Sequence, residues 1–215
     1  MKLTFAFFLS LPLMAGVTFV DSASSFFPFA GSTTTQDFNS VPDGSYNTAA
    51  GLTAGGVTLV GHCTQTSPGN KWCGGDYQLS ASAGTITGPM GLYAYPDPPY
   101  GSQDGNLEVT LPSAVYAAAF EFTGDSSTPT GRIQLLLSSG DNSPIVVITT
   151  GQPGFMGFLS DTPITSFTVR VLNPGFEYSR ILFDNLSYGG DAGVPEPGYG
   201  IPAAALLAAL VVIRR

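Results

Sequence analysis

The stretch "NLEVTLP" (106–112) alternates without a break: Leu107, Val109 and Leu111 fall on one side, Glu108 and Thr110 on the other. A period of two suits a half-buried strand and no helix. The pattern recurs through the middle of the chain. "GVTLVG" (56–61) is β-branched and bounded by glycine, and "VYAAAFEFTG" (115–124) alternates towards its end through Phe120 and Phe122. "RIQLLLSS" (132–139) and "PIVVITT" (144–150) flank "GDNS", a hairpin turn by composition. "ITSFTVRVL" (164–172) sets Thr165, Phe167, Val169 and Val171 on one face, and "SRILFDNLSYG" (179–189) closes the series. The 27 glycines and 17 prolines break the remaining sequence too often for a long amphipathic helix. Short strands with turn chemistry between them predict an all-β fold, an antiparallel β-sandwich. No internal repeat of 20–50 residues is visible.

The two ends read differently. Lys2, the apolar run Leu3–Ala15 and the small residues Ser22, Ala23, Ser24 and Ser25 have the order of a secretory signal peptide. Cleavage is expected near Ser22–Ser25; a retained N-terminal anchor is the alternative. At the other end, Gly198–Ile213 carries no charge and is followed by Arg214 and Arg215. As a helix this run would be ~24 Å long, short against a bilayer core of ~30 Å. The two arginines would stay cytoplasmic by the positive-inside rule. Pro195 and Pro197 bracket Glu196 and keep that peptide extended. A buried core helix would not end in paired arginines, which leaves a processed tail or a permanent tail anchor.

Val194-Pro195-Glu196-Pro197, the short apolar span and Arg214-Arg215 together resemble a PEP-CTERM sorting signal. Pro202 inside the span and the shortness of the basic end depart from the pattern. The resemblance implies processing by an exosortase, an integral-membrane enzyme of Gram-negative bacteria. It further implies a transient inner-membrane anchor, then release to the cell surface or extracellular matrix. "DFNSVPDGSYN", "AVYAAAFEFTG" and "FMGFLSDTPITSFTVRV…ILFDNLSYG" look like the jelly-roll domain common among such proteins. The expected organisation is a signal peptide (1–23), a jelly-roll-like β-sandwich (24–188), a linker "GGDAG" (189–193) and a sorting segment (194–215). An N-terminal signal helix and one C-terminal transmembrane helix complete it.

Export fits the cysteines. Cys63 and Cys73 flank a Pro-Gly-Asn turn, and in an oxidising compartment such a pair is expected to form a disulfide. A metal reading would use His62, the chain's one histidine, but no fourth ligand stands nearby; free thiols are the remaining alternative. Charge excludes one class of partner. Between Ser24 and Pro197 four basic residues face fourteen acidic ones, a net charge of −10. Nucleic-acid binding needs a basic footprint that this segment lacks.

Catalytic signals are weak. His62 is the single candidate base for a Ser–His–Asp or Cys–His device, and no G-x-S-x-G elbow is present. Glu108, Glu121, Glu177 and Asp184 could supply a glycosidase pair, with outward-facing strand carboxylates as the simpler reading. Asp37 on the first strand and Asp184 on the last could share a structural Ca²⁺. Alternatively Asp37 caps a turn and Asp184 bonds to backbone. No cofactor is called for. Trp72, Tyr93, Tyr95 and Tyr100 lie in Gly/Pro-rich segments, where aromatic faces could pack on sugar rings or seal the sandwich end. The sequence therefore favours a non-catalytic surface or matrix protein first, a polysaccharide-binding module second and a glycan-active enzyme third.

Overall fold

The structure, a computed structural model, describes residues 16–46, 48–65, 79–88, 103–124, 130–172 and 181–190. In chain order its elements are β1 (Val17–Val20), the short helix α1 (Ala23–Phe26), β2 (Thr33–Gln36), β3 (Gly44–Ser45) and β4 (Leu52–Ala54). Then come β5 (Val57–Gln65), β6 (Ser80–Ser82), β7 (Thr85–Thr87), β8 (Gln103–Gly124), β9 (Thr130–Leu137), β10 (Val146–Thr149), β11 (Pro153–Leu172) and β12 (Ile181–Gly189). All the paired strands run antiparallel, as expected. No helix among the described residues is long and apolar enough to cross a membrane. The apolar runs Leu3–Ala15 and Gly198–Ile213 lie outside the described residues.

Two long strands organise the fold. β8 has 22 residues and β11 has 20, and each runs through two layers. In the first layer the order is β4–β5–β8–β11–β9–β10, using Gln103–Thr110 of β8 and Ser166–Leu172 of β11. In the second, Val115–Gly124 of β8 pair with Pro153–Ile164 of β11 and with β12, while β1 extends the β11 side. β2 and the short β7–β6–β3 series continue from β12. The β8–β11 register shifts between Leu159 and Ile164 and again between Ile164 and Ser166. Pro112 and Pro163 sit at this turnover. A proline cannot donate to the ladder and is tolerated at such irregularities. The sequence reading treated 106–112 and 115–124 as separate strands; they are one strand interrupted in pairing, not in path.

The inward faces meet in one core. Leu59, Leu107, Val109, Ile133, Leu135, Val169 and Val171 from the first layer share it with Phe38, Ile86, Phe120, Phe158, Phe183 and Leu186 from the second. Phe120 and Phe167, on different layers, stack with centroids 6.1 Å apart. Burying each such phenylalanine stabilises by about 1.5–3 kcal/mol as an upper estimate.

"VYAAAF" does not alternate because it is covered on both faces. Ala118 and Phe120 join the main core, whereas Ala117 and Ala119 join a second cluster with Val20, Phe26, Ala30 and Leu159. That cluster is the outer face of the second layer, roofed by α1 and its following turn. The chain thus folds from β1 onward, so part of the segment assigned to the 1–23 leader is a strand of the sheet.

Two glycines set the closeness of β8 and β11. Gly157 pairs with Ala119, and a Cβ there would overlap the Ala119 side chain and the Ala118 carbonyl. Gly154 pairs with Phe122, whose ring lies over the space a Cβ would take.

The turnover gives the molecule two distinct ends. At one end Gln65 pairs with Gln103 and Val171 with Gly105 in the first layer. Gly124 pairs with Ile181 at the same end of the second layer. Segments 66–78, 89–102, 125–129 and 173–180 all join the described chain here. At the other end lie the turnover, Gly16 and Gly189.

Candidate functional site

The outer face of the first layer is open and polar. Register brings His62 of β5, Asn106 of β8, Arg170 of β11 and Gln134 of β9 into one row across four strands. Directly paired residues in an antiparallel sheet share a face. Strand spacing of ~4.8 Å makes the row about 14 Å long. A second row runs Val60, Glu108, Thr168, Leu136, and a third Thr58, Thr110, Ser166. Neither row is buried, in contrast to their inward neighbours.

Contacts within the face hold these side chains in place. His62 Nε2 lies 3.3 Å from Glu108 Oε2, with the two side chains 33% and 55% exposed. Gln134 Nε2 donates to the Ser143 carbonyl at 2.9 Å. Ser143 is itself buried, its Oγ accepting the Leu135 N–H and donating to the Pro144 carbonyl. These bonds delay the start of β10 to Val146, so the β9–β10 connection is longer than the "GDNS" turn that composition suggested. The face offers donors (Arg170, Asn106, Gln134), acceptors (Glu108, Asn106, Gln134) and hydroxyls (Thr110, Thr168). Sequence alternation marked Glu108 and Thr110 as outward, but only cross-strand register aligns His62, Asn106, Arg170 and Gln134.

The carboxylates sort into separate places. Glu121 and Asp184 are paired in register across β8 and β12, just before a bulge that ends at Ser187. Asn185, at φ 47°, spans them: its Nδ2 donates to Glu121 Oε2 at 2.9 Å and its N–H to Asp184 Oδ1 at 2.7 Å. Burial pushes the Asp184 carboxyl above the ordinary aspartate range, and the charges of Glu121 and Asp37 push the same way; the Asn185 N–H opposes them. The Asp37 carboxyl is held below its usual range by the Asn39 side chain, 2.8 Å away, and by the Asn39 N–H. Asp37 thus caps a turn and Asp184 bonds to backbone. Asp37 follows the end of β2, the second strand and not the first, and its charge adds to the upward push on Asp184. Among the described residues no group of three or more His, Cys, Asp or Glu could hold a metal ion. Glu108 lies on the first layer with His62, away from the Glu121–Asp184 pair.

The other sequence candidates fall elsewhere. Cys63 stands on β5 opposite Gly105; Cys73, Trp72, Tyr93, Tyr95, Tyr100 and Glu177 lie outside the described residues, as do Val194, Pro195, Glu196, Pro197, Arg214 and Arg215.

No protein-family model matches the chain. No curated protein matches it either. Among solved structures it is similar to a mutant of the family 29 carbohydrate-binding module CBM29-2 complexed with mannohexaose. Identity is 16% and the TM-score 0.42, covering 73% of this chain and 90% of that one. A structure described as carbohydrate binding module family 29 gives 17% identity and a TM-score of 0.38, covering 77% and 96%. A CBM29-2 mutant complexed with cellulohexaose gives 17% and 0.38, covering 76% and 98%.

Proposed function

We propose that the chain is an exported, non-catalytic β-sandwich that binds an extended polysaccharide on the outer face of its first layer. The observation that carries this reading is the row His62–Asn106–Arg170–Gln134, with Glu108 and Thr168 beside it. A glycan laid across the strands meets one polar side chain per strand, and sugar hydroxyls both donate and accept. Chain connectivity adds support: the segments carrying Trp72 and the three tyrosines join the sheet at Gln65 and Gln103, at the end of these strands. The sandwich is read here as a jelly-roll variant whose two layers share β8 and β11.

The destination in this reading rests on the terminal sequences. A leader directs export, and the Val194–Pro197 motif, apolar span and paired arginines direct exosortase processing, then surface or matrix display. A glycan array probed with the purified domain tests the binding. The parent should bind one class of extended glucan, mannan or related polymer. Arg170→Ala, confirmed folded by circular dichroism, should weaken that binding about tenfold or more, the loss of one charge-assisted hydrogen bond. A blank array for a folded parent would overturn the binding reading.

A purely structural matrix role is the second reading, favoured by β10. Among the described residues β10 pairs with β9 alone, and it carries Ile145 (51% exposed) just before it and Val147 (61% exposed) within it. An exposed apolar edge is a template for strand addition between copies.

A further inference from the structure

We propose that the leader is cut between Ala15 and Gly16, and that the new α-ammonium of Gly16 pairs with the Asp161 carboxylate. This rests on the export reading and replaces the cut near Ser22–Ser25 that small residues alone suggested. A cut there would leave the domain without β1. β1 pairs with β11 over its whole length, Val17 with Ser160 through Val20 with Gly157. Val17 and Phe19 pack on the main core, and Val20 is buried in the second cluster beside Leu159. The same cut would fall in the N-terminal turn of α1, where the Ser22 side chain accepts the Ser25 N–H. Phe26 and Ala30, both fully buried, depend on that turn to reach Ala117, Ala119 and Leu159.

Gly16 stands at the head of β1 and contacts Asp161 of β11 through both its backbone polar groups. Its nitrogen donates to Asp161 Oδ2 at 2.7 Å, and its carbonyl accepts the Asp161 N–H at 3.4 Å. In the precursor that nitrogen is an amide with a single hydrogen. Hydrolysis of the Ala15–Gly16 bond adds water across it, leaving an Ala15 carboxylate and a Gly16 amine that protonates at neutral pH. The contact then becomes a charge-assisted hydrogen bond, stronger than its neutral counterpart. With Leu13 where the first small residue of an A-x-A-like site would stand, Ala15 supplies the second. A glycine follows it, and the apolar run Leu3–Ala15 ends at that place.

N-terminal sequencing and intact-mass measurement of the chain recovered from the cell surface or medium of an exporting Gram-negative host decide the matter. The expected N-terminus is Gly16. A terminus between Ser22 and Ser25 would overturn this proposal and leave export standing. A chain that stays in the cytoplasm with Leu3–Ala15 intact would overturn the export reading instead. A second measurement compares chains made to begin at Gly16 and at Ser24. The first should melt several degrees higher, and equal melting temperatures would remove β1 and its ammonium from the account. In the Gly16 chain, Asp161→Asn should lower the melting temperature more at low salt than at high. The same substitution in a chain extended by the leader's last residues should show no such salt dependence.

Discussion

Asp184 shows what a single residue can reveal once its neighbours are known. Its carboxyl is raised by burial and by the charges of Glu121 and Asp37, so folding favours the protonated form. Ionised Asp184 therefore weakens the fold. That cost is absent below the ordinary aspartate pKa and grows as pH rises from there through the raised folded value. Asp184→Asn keeps an oxygen for the Asn185 N–H and removes the charge. Its melting temperature should exceed the parent's at neutral pH, and the difference should vanish in acid below the aspartate range. Millimolar Ca²⁺ is the control: a parent-specific rise in melting temperature would assign an ion to Asp37 and Asp184. Gly157→Ala is expected to act the other way. Its Cβ meets the Ala118 backbone and the Ala119 methyl, neither of which can swing aside. Overpacking of this kind costs about 1–3 kcal/mol, read by calorimetry as a fall of roughly 2–12 °C in a domain of this size. The acid at 184 was visible in the sequence as a candidate. Its pairing with Glu121 was not, because that depends on strand register sixty residues apart and on the positive φ of Asn185.

Among elements, alternation found the strands and missed their lengths. "NLEVTLP", "ITSFTVRVL" and "SRILFDNLSYG" lie in β8, β11 and β12. Pro112, which ends one sequence window, and Pro163, which precedes another, lie at the change of layer. The β8–β11 pairing is irregular there while the backbone continues extended, so a local rule that reads proline as a break divides β8 into two strands. Helix α1 went unforeseen for a different reason: its serines suit both a leader cleavage region and a helix N-cap, and the helix is shown only by the Ser22 cap and the burial of Phe26. The polar row was illegible because no one strand contains it. At the edge, β10 offers a direct trial of the structural reading. Val147→Lys should leave the melting temperature nearly unchanged, the usual result at an exposed site. It should also lower any concentration-dependent association seen by light scattering, if β10 edges hold copies together.

At the scale of the molecule, the sorting assignment and the disulfide rest on segments at and beyond the described chain, and each has its own measurement. Replacing Pro195, Glu196 and Pro197 with alanine should leave export intact and block maturation, so a full-length membrane-bound form accumulates on fractionation. If mutant and parent both keep the apolar tail in the membrane, the chain is an ordinary tail-anchored protein. Cys63 and Cys73 should resist alkylation under denaturing conditions until reductant is added, with a mass gain only after reduction.

The shared strands have a practical consequence for engineering. Thr18, Leu159, Ala117 and Gly189 stand in one row across β1, β11, β8 and β12. The start of the first strand and the end of the last therefore lie at the same end of the domain, about three strand spacings or ~14 Å apart. A unit whose ends lie so close can be spliced into a surface loop of an unrelated host without prising either protein open. In such a chimera the His62–Arg170 face would remain uncovered, and its ligand could be sought with no leader, anchor or sorting enzyme present.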